Sequence, residues 1–353
     1  MKGVYNMKAM VLENFGEKLK LKEIKEKKVR PGTARIKVKA CGVCHTDLKI
    51  IAGILPVCKE IKFPHILGHE VAGRVVELAE DVENFKVGDR VVASFYCGCG
   101  HCQYCDIWED SLCNNLTYWA GFRDWGGYAE NLVIPVRALS LIPENASYVE
   151  SSVVPDAIAT VYKAIKRKAI VKAGDVLMIV GAGGLGLHAV QIAKYFGAQV
   201  IILDKEQAHL DKALELGADY ALKPNSKEIQ KVLDNLTTDG KLDSVIDIVT
   251  LQDTFNLDIE YLKNGGKLVI VGYKPGERVN FDPLEILLKE INIMGSRNCA
   301  KPDIENSLKL ISDGHVKPII DKIVPFNEVN QIHEELHEGH IIGRAVLLFP
   351  EED

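Results

Sequence analysis

Apolar and polar positions follow two different rules along this chain. Between residues 156 and 295, short unbroken apolar runs alternate with stretches of helical spacing, whereas the flanking segments carry alternating or mixed patterning. The clearest run is Val176-Leu-Met-Ile-Val180, which leads straight into Gly181-Ala-Gly183-Gly184-Leu185-Gly186. Leu185, Ala189, Ile192, Ala193 and Phe196 then recur at helical spacing, so the segment predicts a buried strand, a tight turn and a helix. Further apolar runs at 200–204, 244–247, 267–271 and 291–294 predict parallel strands, with helices such as 226–236 between them. Residues 7–36 instead alternate through short runs, with Pro31-Gly32 as a turn, and predict antiparallel strands. Strands are also expected from Ile36, over 71–78 and over 129–135, and the tail 341–348 is expected to pack back on the first domain. A long helix is expected to begin near Val153. The predicted organisation is an α/β unit over 156–295 inserted in a mainly β domain made of 1–155 and 296–353.

The glycine turn has a chemical reading. Gly181 allows the turn, Gly183 lets the backbone approach a phosphate and Gly186 lets the helix pack on the strand. Free N–H groups around Gly184 and Leu185, at the helix start, then face the anion. The next apolar run ends in Asp204, placed to accept from adenosine ribose hydroxyls. A carboxylate there repels a 2′-phosphate, so NAD is expected over NADP, with Lys205 softening the preference.

At 353 residues the chain exceeds what one core usually supports, in keeping with two domains. Its net charge of −6 argues against a nucleic-acid partner, and the basic stretch 18–39 is interrupted by Glu23 and Glu26, as a solvated strand face would be. No apolar run reaches the roughly 18 residues of a membrane span, and Met1-Lys-Gly-Val-Tyr-Asn lacks the apolar core of a signal peptide. A cytoplasmic location and no membrane partner are the expectations. Nine cysteines in such a chain point to metal rather than to disulfides.

Two groups of residues carry that expectation. Cys99, Cys102, Cys105 and Cys113 are separated by two, two and seven residues, a spacing at which four thiolates surround a tetrahedral zinc. A closed four-sulfur shell has no open position, so this zinc is structural, with Cys97 and His101 as bystanders. The acidic Asp106, Glu109 and Asp110 in the loop argue against a nucleic-acid-binding zinc ribbon, and an iron–sulfur centre is the remaining alternative. The second group is Cys44-His45-Thr46-Asp47 at the end of the strand from Ile36, with His69 and Glu70 beside Gly68. Cys41 and Cys44 also suit a redox dithiol, but the thioredoxin-like strand–helix setting of such a motif is not expected here. Asp156 reads either as a helix cap or as a ligand.

Taken in order, Gly42-Val-Cys-His-Thr-Asp47, Gly68-His-Glu70, Gly88-Asp-Arg-Val91, the four-cysteine loop, the glycine turn and Gly343-Arg344 resemble the zinc-dependent, medium-chain alcohol dehydrogenase family over essentially the whole chain. The resemblance implies a Rossmann domain, a doubly wound parallel sheet, inserted in a GroES-like catalytic domain, with the active site in the cleft between them and a second, catalytic zinc. It assigns that zinc to Cys44 and His69, with Glu70 nearby or alternating, and puts Asp156 where many members have a cysteine. Carboxylate is a normal zinc donor, and with the resemblance the ligand reading of Asp156 is preferred to the cap. Thr46 matches the relay hydroxyl and Asp47 a carboxylate that orients His69. Lys49 stands where many members have a relay histidine, so either a lysine of depressed pKa or direct exchange with water completes the relay. His45 and Arg344 match pyrophosphate-holding positions. Leu55, Phe95 and Tyr118, with Trp119 nearby, match positions lining a pocket for an apolar or aromatic alcohol or aldehyde, and equally suit domain core. The short segment between Cys113 and Gly126 favours a homotetramer. The expected activity is reversible hydride transfer between an alcohol and NAD. The alternatives are a zinc-dependent aldehyde or semialdehyde reductase, an enone or enoyl reductase of the same superfamily, and a non-catalytic nucleotide-binding protein.

Overall fold

The computed structural model describes residues 6–225 and 227–350. Met1 to Tyr5, read above for a leader, and Ser226, read as a helix start, lie outside the described residues. The chain forms two compact units, one made of residues up to 159, 299–312 and from 320, the other of 160–298 and 313–319.

The first unit is mainly β. Its larger sheet has the path Leu139–Leu141, Arg90–Ala93, Glu70–Leu78, Thr33–Val43, Arg344–Leu348 and Ile320–Pro325, with Asn131–Pro135 also paired to Thr33–Val43. Thr33–Val43 shows how sequence builds the sheet and then the site. Its first half alternates, with Ala34, Ile36 and Val38 in the core and Arg35, Lys37 and Lys39 partly exposed. Each such buried aliphatic side chain contributes about 1.5–3 kcal/mol over its exposed state. From Ala40 to Val43 the alternation stops and every residue is buried. The strand is covered on both faces at the end that delivers Cys44. The tail strand Arg344–Leu348 pairs with that same end, Ala345 opposite Val43. A smaller antiparallel sheet joins Lys20–Lys25, Asn6–Leu12 and His65–Ile66.

The second unit contains a six-stranded parallel sheet of order Tyr220–Leu222, Gln199–Leu203, Val176–Val180, Leu242–Asp247, Leu262–Ile270 and Asn292–Gly295. Strand order reverses beside Val176–Val180, the feature of a doubly wound, Rossmann-type sheet. All five residues of Val176–Val180 are buried, as expected of a strand inside a parallel sheet. Tyr220–Leu222 was not expected, because its apolar run is only three residues long; it is a half-buried edge strand. Leu262–Ile270 starts earlier than its apolar run because Leu262 already pairs with Leu242, after which the polar Lys263-Asn-Gly-Gly forms an irregularity before pairing resumes at Lys267.

Three further readings change. The helix expected near Val153 begins at Tyr148, where Ser147 accepts the Glu150 N–H at 3.1 Å and Glu150 accepts the Ser147 N–H at 3.1 Å. Asp156 therefore lies inside a helical run, in the π-turn Val154–Ile158, and does not cap it. A strand–helix setting does exist at Cys44, since Thr33–Val43 runs into helix His45–Ile51 with Cys44 as N-cap. All nine cysteines are nevertheless free.

Candidate functional site

Backbone register assembles the first cluster. Gly42 pairs with Glu70 across the antiparallel sheet, so the end of Thr33–Val43 lies beside the start of Glu70–Leu78, and His69 directly precedes that start. A Cβ on Gly42 would lie 2.0 Å from Glu70 Oε2, so only glycine leaves room for this carboxylate. The π-turn contributes Asp156. The result is that donor atoms of Cys44, His69, Glu70 and Asp156 all lie within 4.8 Å of one another. Cys44 Sγ is 3.5 Å and His69 Nε2 4.0 Å from Asp156 Oδ2.

Arg344 enters the same cluster. Its Nε donates to Glu70 Oε1 at 3.0 Å and its Nη2 to Asp156 Oδ2 at 2.9 Å, with Cys44 Sγ 3.8 Å away. The resemblance implies a phosphate-holding arginine here; in this structure the buried guanidinium is turned onto the carboxylates and supplies them with a counter-charge. Burial pushes Glu70 up to about 8, against the pull of Arg344 and with a further push from Asp156. Asp156 is also penalised by burial, but Arg344 and His69 hold its carboxyl below the ordinary value. Glu70 Oε2 is buried with no hydrogen-bond partner. A thiol, an imidazole and two carboxylates converging on one point, one oxygen of them unsatisfied, form a donor set that suits zinc.

Residues around this cluster divide into those it gathers and those it does not. Thr46 Oγ1 lies 3.6 Å from Cys44 Sγ. Asp47, wholly buried, faces His69 Nδ1 at 3.3 Å. Burial lowers the Lys49 ammonium below its usual value, opposed by Cys44. His45 is exposed at the start of its helix. Phe95 packs edge-on against His69 with centroids 5.1 Å apart, and Trp119 stacks on Phe122 at 4.7 Å. Phe122, which no sequence reading selected, itself contacts the His69 ring at 5.2 Å. Its signal was the aromatic spacing of Tyr118-Trp119-Ala-Gly-Phe122. Leu55 is buried at the start of the 3-10 turn Pro56–Glu60. Tyr118 donates to the Trp125 carbonyl at 2.7 Å and lines a recess with Met7, Lys27 and Trp125. Among the described residues no ring contact joins Tyr118 to His69.

The second cluster is local. Cys99, Cys102, Cys105 and Cys113 bring four sulfurs within 4.8 Å of one another, and the N–H groups of Cys99 and Asn115 point at Cys113 Sγ at 3.4 and 3.3 Å. Backbone N–H groups of Cys105 and Tyr104 pull the Cys102 thiol down to about 7, whereas burial pushes Cys105 up to about 12. A bound cation reverses the latter by deprotonating the thiol outright. His101 is exposed and its Nδ1 meets the Cys99 carbonyl; Cys97 is buried in a two-residue strand. Arg137, not selected from sequence, donates to the Cys105 carbonyl at 3.0 Å and faces Asp110.

In the second unit the glycine turn has the geometry its spacing implies. Gly181 has φ +99°, a Cβ on Gly186 would lie 1.8 Å from the Gly181 carbonyl, and one on Gly183 would meet nothing within 4 Å. Gly183 thus leaves an open face for a phosphate. Asp204 Oδ2 accepts the Ala182 N–H at 2.7 Å, which ties the carboxylate to the turn. Burial opposes its ionisation, but His209 and the N–H groups of Glu206 and Ala182 hold it below the usual range. Lys205 projects into solvent towards Glu206.

The chain's relatives agree with this geometry. Residues 30–144 match the alcohol dehydrogenase GroES-like domain, and residues 184–313 match the zinc-binding dehydrogenase model. An alcohol dehydrogenase of Geobacillus stearothermophilus is 34% identical over 342 residues, 97% of this chain and 99% of that protein. The chain belongs to the zinc-dependent, medium-chain alcohol dehydrogenase family. An NAD-dependent alcohol dehydrogenase of Sulfolobus acidocaldarius is 34% identical over 346 residues, covering 97% of this chain and 99% of the relative. Among solved structures, acetophenone reductase from Geotrichum candidum, in complex with NAD, superposes with a TM-score of 0.87 at 31% identity and 99% coverage of both chains. As a zinc-dependent alcohol dehydrogenase family member the chain is an oxidoreductase. Its four-sulfur set fits a structural zinc, its mixed set a catalytic zinc, and its glycine turn NAD.

Proposed function

We propose that this chain oxidises an apolar or aromatic alcohol, or reduces the matching aldehyde or ketone, with NAD and a zinc held by Cys44, His69 and Asp156, with Glu70 as nearby or alternating ligand. The observation that carries the proposal is the convergence of those four donors within 4.8 Å from three separate parts of the chain. Bound zinc supplies a Lewis acid that draws electron density from the alcohol or carbonyl oxygen. The chain's own groups do the rest. The Thr46 hydroxyl takes the alcohol proton, and Lys49, its pKa lowered by burial, passes it outward. Asp47 orients His69, and Arg344 balances the carboxylate charge. His45 is assigned to the cofactor phosphates, the backbone of Gly181, Gly183, Gly184, Leu185 and Gly186 to the pyrophosphate, and Asp204 with Lys205 to the adenosine ribose, while Arg344 is committed to Glu70 and Asp156.

The same proposal assigns the unit made of residues up to 159, 299–312 and from 320 to the catalytic domain, Asp156 included, and the unit made of 160–298 and 313–319 to the NAD-binding domain, in place of the expected bounds at 155 and 296. The rings of Phe95 and Phe122 against His69, with Trp119 stacked on Phe122, support an apolar or aromatic substrate, and Leu55 is assigned to the same pocket. Nine free cysteines support a reducing, cytoplasmic location. Among the described residues no helix is long and apolar enough to cross a membrane. Exposed Phe281, Leu284, Leu287 and Leu288 support assembly, here assigned as a homotetramer.

A panel of primary, secondary and aromatic alcohols, read by NADH absorbance alongside metal analysis, tests the proposal. Alcohol-dependent NAD reduction with two zincs per chain is expected. One zinc and no turnover across the panel would sink it, and sedimentation at a mass other than four chains would remove the tetramer.

A further inference from the structure

We infer that Tyr128 is a positioning residue for the catalytic metal centre, acting through Asp47 on both Cys44 and His69. The inference rests on the functional reading just proposed. Tyr128 is wholly buried and donates its phenolic hydrogen to Asp47 Oδ2 at 2.8 Å. The same oxygen accepts the Cys44 backbone N–H at 3.1 Å. With Oδ2 committed twice, Oδ1 is the oxygen left to face His69 Nδ1, at 3.3 Å. One carboxylate therefore steadies the main chain of one metal ligand and the ring of another, and the tyrosine hydroxyl fixes its plane. Oδ1 and Nδ1 form no aligned hydrogen bond, so the carboxylate acts on the ring through its charge, which favours the hydrogen on Nδ1 and leaves Nε2 as the electron-pair donor, on the side facing Asp156.

The fold reserves space for this ring. Gly68, the residue before His69, has φ +91°, and a Cβ there would lie 2.4 Å from Tyr128 Cδ1. Backbone bonds lace the two segments together, from Tyr128 N–H to the Leu67 carbonyl at 2.9 Å and from Gly127 N–H to the Gly68 carbonyl at 2.7 Å. The glycine of Gly68-His-Glu70 thus admits the tyrosine ring directly behind the ligand. A phenylalanine fills the same volume but leaves Asp47 Oδ2 with a single donor, free to rotate and share Oδ1 differently between its partners.

The test is Tyr128→Phe in the full-length, zinc-loaded protein, with zinc release followed under excess chelator. Wild type should hold two equivalents, distinguished by release rate. In Tyr128→Phe the catalytic equivalent should leave about tenfold faster or more, while the four-cysteine equivalent leaves at the wild-type rate. Cobalt placed in the catalytic position should show shifted visible absorption bands. In an Asp47→Asn background the tyrosine change should add less than it does alone, since both act through one carboxylate. Wild-type release from Tyr128→Phe, alongside fast release from Asp47→Asn, overturns the inference and leaves the functional reading intact. Full additivity of the two changes also overturns it. So does a variant that melts early and sheds both equivalents equally fast, because that is a packing role only. A wild-type protein with one zinc overturns this inference and the functional reading together.

Discussion

The two donor clusters of the first unit solve one coordination problem in opposite ways. Cys99, Cys102, Cys105 and Cys113 come from a single stretch of chain, carry identical donors and bring their four sulfurs within 4.8 Å of one another. Cys44, His69, Glu70 and Asp156 come from a strand end, a strand start and a π-turn, mix sulfur, nitrogen and oxygen, and share their space with a guanidinium. The difference teaches what each is for. A local, uniform shell forms whenever its loop does and has no position to offer a substrate, so its binding energy goes into folding. A shell assembled from distant parts needs the whole unit folded first, and its mixed donors, with one thiolate in place of four, leave a bound cation more electrophilic.

The most damaging way to break the contrast is to remove one arm of the open cluster. Asp156→Ala should lower kcat/KM by about 10³-fold or more, since several kcal/mol of Lewis-acid assistance is lost with the metal. Zinc content should fall by one equivalent only. Normal turnover with both zincs retained would return Asp156 to a structural role. Removing an arm of the closed cluster should do something else. Cys99→Ser is expected to lower Tm by roughly 10 °C, with turnover at a permissive temperature within about threefold of wild type. A heat-resistant variant of unchanged metal content would contradict the assignment.

Arg344 sharpens the comparison because only the open cluster has such a partner buried within it. Arg344→Lys keeps the charge but not the fork that spans Glu70 and Asp156. A loss of about tenfold in kcat/KM is expected, with the four-cysteine zinc retained at full occupancy. An unchanged rate would mean that the fork is dispensable.

How much of this could be read from sequence follows from the same contrast. The four-cysteine loop was legible because its donors lie close together, and spacing alone encodes their geometry. So was the glycine turn, where each glycine answers a local steric need, at Gly181 a positive φ and at Gly186 a carbonyl that no Cβ could clear. In the open cluster Cys44 and His69 stood beside recognisable glycines, but Asp156 was ambiguous. A carboxylate near a helix start is commonly a cap, and only the capping pair of Ser147 and Glu150 upstream shows that the helix is already under way. The π-turn and the packing of Phe122 on His69 depend on tertiary contacts with no periodic trace. Tyr220–Leu222 was missed for a related reason, because an edge strand of three half-buried residues carries almost no apolar signal.

The smallest expected effect serves as a control outside both clusters. Asp204 is a buried-edge carboxylate in the second unit, bound to the Ala182 N–H and beside His209, with no metal-ligating neighbours gathered around it. If charge at Asp204 selects the cofactor, Asp204→Asn should shift the ratio of kcat/KM values for NADH and NADPH by about tenfold towards NADPH, the scale of one hydrogen bond to a charged group. Both zinc equivalents should remain. The His209 partner adds a pH signature of known sign. Its pKa is raised chiefly by Asp204, whose Oδ1 lies 3.4 Å from Nδ1, so the stability this pair contributes is present below the ordinary histidine value and fades as pH rises through the raised one. Because His209 is partly solvated, that contribution amounts to a fraction of a kcal/mol. Asp204→Asn should abolish this slope in Tm against pH while leaving the metal content of the first unit untouched. A slope that persists in the variant would place its origin elsewhere and separate cofactor selection from the Asp204–His209 pair.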